Sequence, residues 1–264
     1  MTTWDPGQYQ RFARERARPF HELVARIPTD EAVAVVDLGC GTGALTATLA
    51  RRWPSAAILG IDSSPDMIQT ARTHASEQVA FRLGNIAAWR PTPGSIDVII
   101  ANASLQWVPD HAGLLTAWAH ALDEDGALAF QVPSPGSIPA TEAMREVAAE
   151  PRWADRLAGV AGGTGPRAAT PVLAPEVYVD VLSAAGLTVD AWETTYFHVL
   201  PGADPVLEWF TGTGLRPYLD ALADDPVAVQ EFRLALAERL REAYPRQSFG
   251  TILQFPRLFV VGAR

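Results

Sequence analysis

The sequence predicts an α/β protein built on a doubly wound, mostly parallel sheet of seven strands. Two observations carry that prediction. Short apolar, β-branched runs alternate with helical periods five times between residues 33 and 132, the pattern of repeated strand–helix–strand units. The polar residues that interrupt those runs fall at or just past their C-terminal ends: Asp37, Asp62, Asn85, Asn102 and Gln131. Ligands of open parallel sheets bind along that edge.

Taken in order, Gln8 to Ile27 has apolar residues at helical spacing, with Pro19 expected to kink the helix or divide it in two. The arginines at 11, 14, 16 and 18 read as a solvated face, with the alternative that one of them points into a site beside the glycine loop. Val33–Leu38 is the first buried strand, and Ala44–Trp53 reads as the helix after it. Ala57–Asp62 is the second strand. Ser64 then supplies an N-cap and Pro65 the first helical position of the next helix. Val79–Leu83, Ile96–Asn102 and Gly126–Val132 are strands three to five, with a helix from His111 to Leu122 before the last of them.

Residues 133–175, rich in Gly, Pro and Ala, read as loop with one helix near 141–149. A helix from Pro175 to Ala185 stops at Gly186. Trp192–His198 and Leu258–Val261 are the last two strands. About 55 residues between them read as three helices, over 204–211, 215–223 and 226–244. The expected organisation is an N-terminal helical segment (1–30) covering the site, a core of 31–200 and 255–264, and a helical insertion over 201–254 that reads as a cap or, on pattern alone equally, as a structural appendage.

The totals narrow the function classes. Among 264 residues no apolar run reaches the roughly 18–20 needed to span a membrane. The first residues show no basic region followed by an apolar core, so no secretion signal is expected. Cys40 is the only cysteine, which excludes an internal disulfide and suits a cytoplasmic location. A net charge of −9 argues against a nucleic-acid partner. All 21 basic residues are arginine. Any cation that grips an anion here is therefore a guanidinium, which suits two-pronged carboxylate contacts.

The chemistry centres on Val33–Gly43, a buried strand followed by Gly39, Gly41 and Gly43. Glycines let the turn be sharp and let a ligand approach the main-chain N–H groups. Three kinds of ligand use such a turn. A phosphate-binding P-loop needs a lysine and is excluded. A dinucleotide site remains open, because Gly39, Gly41 and Ala44 satisfy G-x-G-x-x-A and Asp62 lies about 20 residues on. Asp37 favours the third kind. A carboxylate beside the loop would repel a pyrophosphate but attracts S-adenosylmethionine, whose sulfonium and ammonium are cationic.

Val36–Gly43, Gly60–Ser64 and Gly84–Ile86 resemble the first three motifs of the class I S-adenosylmethionine-dependent methyltransferases, with their Rossmann-like fold. Further segments resemble trans-aconitate 2-methyltransferases: Ile61–Pro65, Ala101–Trp107, Thr194–Tyr196, Thr213–Pro217 and Phe255–Phe259. An N-terminal pattern of Trp4, Tyr9, Glu15, Arg16, Arg18 and Pro19 adds to that resemblance. Asn85 departs from the pattern, since such enzymes often carry an acid there. The stretch around 151–170 has no clear counterpart.

The resemblance implies methylation of a carboxylate of trans-aconitate, giving a monomethyl ester and S-adenosylhomocysteine. No metal and no general base are implied. The cofactor residues it points to are Asp37, Gly39, Gly41, Gly43, Asp62 (ribose), Ser63 and Met67 (adenine flanks), Asn85 and Ile86 (adenine edge), and Asn102 (methionine part). The substrate candidates are Arg216 and Arg257, with Tyr9, Gln106, Trp107, Tyr196 and His198 as further donors or walls. Partners are limited to the small polycarboxylate, with a monomer or weak homo-oligomer expected. The alternative is a methyltransferase for another small acid, or for a natural-product hydroxyl or amine, which would need a base near the sulfonium.

Overall fold

The structure, a computed structural model, describes residues 12–161 and 172–264. The chain divides into two compact units.

The larger unit holds residues 13–135, 172–194 and 257–264. It opens with helix α1 (Ala13–Ala25), followed by β1 (Ala34–Leu38), a short α2 (Leu49–Arg52), β2 (Ala57–Asp62) and α3 (Pro65–Ala71). Next come β3 (Val79–Leu83), β4 (Ile96–Asn102), α4 (His111–Ala119) and β5 (Leu122–Pro133). The sheet is seven-stranded, in the order β3-β2-β1-β4-β5-β7-β6, where β6 is Thr188–Leu200 and β7 is Thr251–Ala263. Strands β1 to β5 pair in parallel, and β7 lies antiparallel to β5. The order reverses at β1, so the glycine turn after β1 sits at the switch point where such sheets take ligands.

The expected fold class therefore stands, with local differences. Pro19 does not divide the first helix: it lies inside α1, buried together with Phe20 and Leu23. A proline inside a helix costs about 3 kcal/mol. Here the face that carries it packs against β5, and that burial offsets the lost backbone bond. Ala44–Trp53 is not one helix. A 3₁₀ turn (Thr46–Thr48) precedes α2. The Thr48 hydroxyl bonds back to the Leu45 carbonyl, and Thr46 turns its hydroxyl toward Asp37. Such side-chain bonds compete with regular helix. Strands β5, β6 and β7 are all longer than the apolar runs suggested, because cross-strand pairing recruits polar flanks. Ser64 caps α3 as expected, accepting from the Met67 N–H with Pro65 at the first turn.

The smaller unit holds residue 12, residues 136–161 and residues 195–256 among those described. Its helices are α5 (Pro139–Ala148), α6 (Ala154–Ala161), α8 (Pro205–Thr211), α9 (Arg216–Ala221) and α10 (Pro226–Ala243). α7 (Pro175–Ala184) belongs to the larger unit and packs on α4. Trp153, Trp209, Phe210, Phe232, Leu236 and Phe255 form the smaller unit's core. The Tyr244 hydroxyl accepts from the Ala140 N–H at the start of α5. Residues 136–161 thus share a core with the helices of 201–254. No helix among the described residues is long and apolar enough to cross a membrane.

Candidate functional site

Gly39, Gly41 and Gly43 all have positive φ, as the tight turn after β1 requires. At Gly39 a Cβ would fall 2.3 Å from the Ser104 Cβ, so the turn packs directly on the segment after β4. At Gly41 a Cβ would meet no atom within 4 Å. The apex of the loop is therefore open, and a ligand can approach its main chain. The turn is pinned from behind by the Gly39 and Cys40 N–H groups, which both donate to the Ile61 carbonyl.

Two carboxylates flank this loop. Asp37 is 2% exposed. Thr46 Oγ1 donates to its Oδ2 at 2.6 Å, while Oδ1 is buried with no hydrogen-bond partner among the described residues. Burial, opposed by the Thr46 bond and reinforced by the charge of Asp62, pushes the Asp37 carboxyl up to about 7. Asp62, at the end of β2, accepts from the Gly41 N–H through Oδ2 and from the Ser64 N–H through Oδ1, each at 2.9 Å. Burial also raises its pKa, against the pull of those backbone N–H groups. Burial and the same two acids push up the Cys40 thiol as well, which leaves that cysteine an inert wall of the loop.

The loop is thus a desolvated, electronegative place. A buried carboxylate oxygen without a donor is costly unless something cationic meets it. That suits a positively charged ligand and opposes a pyrophosphate. The residues after the loop argue the same way, since the 3₁₀ turn and the four-residue α2 offer no long helix dipole to an anion.

The other expected cofactor residues lie in the same unit. Met67 and Ile86 are buried and Ser63 is exposed. Asn85 uses Oδ1 to cap the turn Ile86–Ala88, accepting from the Ala87 N–H, so its Nδ2 is the group left to donate. Asn102 ends β4 and is followed by Ala103 at φ 55, an uncommon conformation for a residue with a Cβ. Ser104 Oγ donates to the Leu38 carbonyl and ties this bend to the glycine loop. Gln106 Nε2 donates to the Ala103 carbonyl, while its Oε1 is buried with no partner among the described residues. Trp107 is half-buried on the same turn. Behind it, His111 donates from Nδ1 to the Val108 carbonyl and accepts on Nε2 from the Tyr178 hydroxyl. Both ring nitrogens are committed, and burial lowers the His111 pKa, so it is a neutral structural strut.

The expected substrate residues are divided between the units. Gln106, Trp107 and Arg257 belong to the larger one. Arg257 is 8% exposed at the C-terminal edge of the sheet, and its Nη1 donates to Gln131 Oε1 at 3.3 Å. Tyr196, His198 and Arg216 belong to the smaller unit. His198 is buried in an aromatic stack, with the Tyr196 ring 5.9 Å and the Trp209 ring 4.8 Å from its own. Arg216 pairs with Asp220 one turn along α9 at 3.3 Å. Tyr9 lies outside the described residues.

Local sequence patterns miss two side chains that bond to the expected site residues. Thr46 was assigned to a helix, although a threonine nine residues after a buried acid is a natural donor to it. Gln131 was noted only as the end of a strand, but a glutamine inside the run Ala127–Val132 signals a buried polar contact. Of the arginine cluster, Arg16 is buried on α1 whereas Arg14 and Arg18 are exposed, so the cluster is not wholly a solvated face. Among the described residues, no group of three or more His, Cys, Asp or Glu is arranged to hold a metal ion.

Comparison with known proteins bears on the family and the fold. A family model described as a methyltransferase domain matches residues 35–126, from β1 into β5. A trans-aconitate 2-methyltransferase of Streptomyces coelicolor is 47% identical, with 99% of this chain and 87% of the relative covered. One of Methylobacterium nodulans is 46% identical over 100% of this chain and 99% of its own. Among solved structures, the YcgJ protein of Bacillus subtilis matches with a TM-score of 0.58 at 15% identity, covering 93% of this chain and 98% of that one. A geranyl diphosphate C-methyltransferase of Streptomyces coelicolor matches with a TM-score of 0.53 at 15% identity, covering 94% and 77%. These two share the fold. The full-length relatives share far more, and the chain belongs to the family of trans-aconitate 2-methyltransferases.

Proposed function

We propose that this protein transfers a methyl group from S-adenosylmethionine to a carboxylate of trans-aconitate, leaving a monomethyl ester and S-adenosylhomocysteine, in the cytoplasm. The observation that carries the cofactor half is the buried, unpartnered Oδ1 of Asp37 beside an open glycine apex. The acceptor half is supported by relatives of that name over nearly the whole chain.

The cofactor supplies an electrophilic methyl group on a sulfonium centre. In this reading Asp37 balances the cationic amino-acid end, and the open backbone at Gly41 lines its path. Asp62 spends one lone pair per oxygen on the loop amides and keeps others for the ribose hydroxyls. Met67 and Ile86 offer apolar walls to the adenine. Ser63 flanks it, and the free Nδ2 of Asn85 donates to its edge. Arg257 holds a substrate carboxylate as a two-pronged donor. A carboxylic acid with a pKa of about 4 is already ionised at neutral pH, so the chain has no proton to remove. Its work is to align the acceptor oxygen with the methyl group and to exclude water.

Incubation with methyl-labelled S-adenosylmethionine and a panel of di- and tricarboxylates tests this directly. Label is expected in a base-labile methyl ester of trans-aconitate. Label in a base-stable ether or amine overturns the acceptor class. Asp62→Ala is expected to weaken cofactor binding by about 1–3 kcal/mol, the loss of hydrogen bonds to a largely buried partner. Calorimetry with S-adenosylhomocysteine measures it, and unchanged affinity removes the ribose role.

A further inference from the structure

Gln131 is 1% exposed, a polar side chain inside the apolar run of β5. Its neighbours follow from strand register. Asn102 is directly opposite on β4. On β7, Phe259 is opposite, and Arg257 lies two residues away, opposite Pro133. Side chains alternate along a strand, so Asn102, Gln131 and Arg257 share one face of three adjacent strands. Gln131 Nε2 donates to Asn102 Oδ1 at 2.6 Å, and Arg257 Nη1 donates to Gln131 Oε1 at 3.3 Å.

The polarity of this relay has one solution. A guanidinium only donates, so Gln131 must turn its oxygen to Arg257. The Gln131 nitrogen then faces β4, and Asn102 must answer with its oxygen. The Asn102 Nδ2 is left over as a donor that bonds to nothing among the described residues. Asn102 adjoins the strained Ala103 bend, which Ser104 ties to the glycine loop.

We propose that Gln131 is a positioning residue for methyl transfer. It commits Asn102 to act as a donor toward the carboxylate of the cofactor's amino-acid end, and it holds the Arg257 fork for a substrate carboxylate. The cofactor and substrate contacts thereby share one hydrogen-bonded relay across β4, β5 and β7. The Arg257 half rests on the reading that the acceptor is a carboxylate.

The test uses Gln131→Glu and Gln131→Met in the full chain. Its readouts are thermal unfolding, calorimetric affinity for S-adenosylhomocysteine, and the Michaelis constant for trans-aconitate. Met leaves the Arg257 charge and the Asn102 donors in place but unanchored. Glu neutralises Arg257 and draws the Asn102 amide round to donate to it, removing both contacts. Both constants are expected to rise in the order wild type, Gln131→Met, Gln131→Glu, with Gln131→Glu at least about tenfold worse than wild type. A purely structural glutamine gives the reverse order, because Glu has the same size and keeps the bond to Arg257. The reverse order, or unchanged constants in both variants, overturns the proposal.

Should Gln131→Glu not fold, Asn102→Asp still decides the cofactor half. It keeps the acceptor for Gln131 but loses the donor, and about tenfold weaker binding of S-adenosylhomocysteine is expected. Unchanged binding overturns that half. A wild-type protein that binds S-adenosylhomocysteine but esterifies no carboxylate overturns the acceptor reading and the Arg257 half together.

Discussion

Arg257→Ala is expected to raise the Michaelis constant for trans-aconitate about 30-fold or more, while affinity for S-adenosylhomocysteine changes only a few-fold. The magnitude is that of a lost charge-assisted bond in a desolvated place, about 2 kcal/mol and upward. Arg257 is nearly buried at the C-terminal edge of the sheet, so its charge is poorly screened by water. Arg257→Lys separates charge from geometry: it keeps the positive charge but not the planar fork, and should fall between wild type and Ala. The Gln131 side chain remains in every variant, and thermal unfolding shows whether its bared oxygen costs stability. An unchanged Michaelis constant for trans-aconitate removes Arg257 from the acceptor site.

The second large effect concerns Asp37 and pH. Its folded-state pKa of about 7 lies above the ordinary 3.8, chiefly because the carboxyl is buried. Below the ordinary value both folded and unfolded chains hold the proton, and Asp37 adds no pH dependence. Between 3.8 and about 7 the folded chain holds more protons, so the stability of the ligand-free protein falls as pH rises, by up to about 1.4 kcal/mol per pH unit from this group. Above that window the loss is complete.

A cationic ligand reverses the balance, because it favours the ionised carboxyl. Affinity for the cofactor should therefore increase from about pH 6 to about pH 8, with release of a proton on binding. Asp37→Asn keeps the shape and removes the charge. It should stabilise the ligand-free protein at pH 8 relative to wild type, by more than at pH 5, and weaken cofactor binding about tenfold or more at pH 8. Melting temperatures at the two pH values, with calorimetry in buffers of different ionisation enthalpy, measure both effects. A stability difference that does not depend on pH would remove Asp37 as the titrating group.

Much of the larger unit could be read locally. β1 to β4 are short, mostly apolar runs closed by Gly, Asn or Asp, and the Ser64–Pro65 helix start follows from capping chemistry alone. The glycine turn, Asp37 and Asp62 are adjacent in sequence to the strands that position them, so their placement beside one another is legible from spacing. Other features were not. The persistence of α1 through Pro19 depends on which face the helix buries. The 3₁₀ turn at Thr46 depends on a buried acid nine residues earlier. His198 resembles a ligand donor in sequence, but Tyr196 and Trp209 stack against it.

What the sequence by itself determined is the kind of sheet, the glycine turn after its first strand, and the two acids beside that turn. Those rest on periodicity, turn stereochemistry and charge, which act over a few residues. Only the tertiary structure decided that Asn102, Gln131 and Arg257 form one relay. They are separated by 29 and 126 positions along the chain. Their meeting depends on the register of β4 against β5 and of β5 against β7, which no local pattern encodes. A shift of one residue in either pairing would turn the relay's side chains to opposite faces of the sheet.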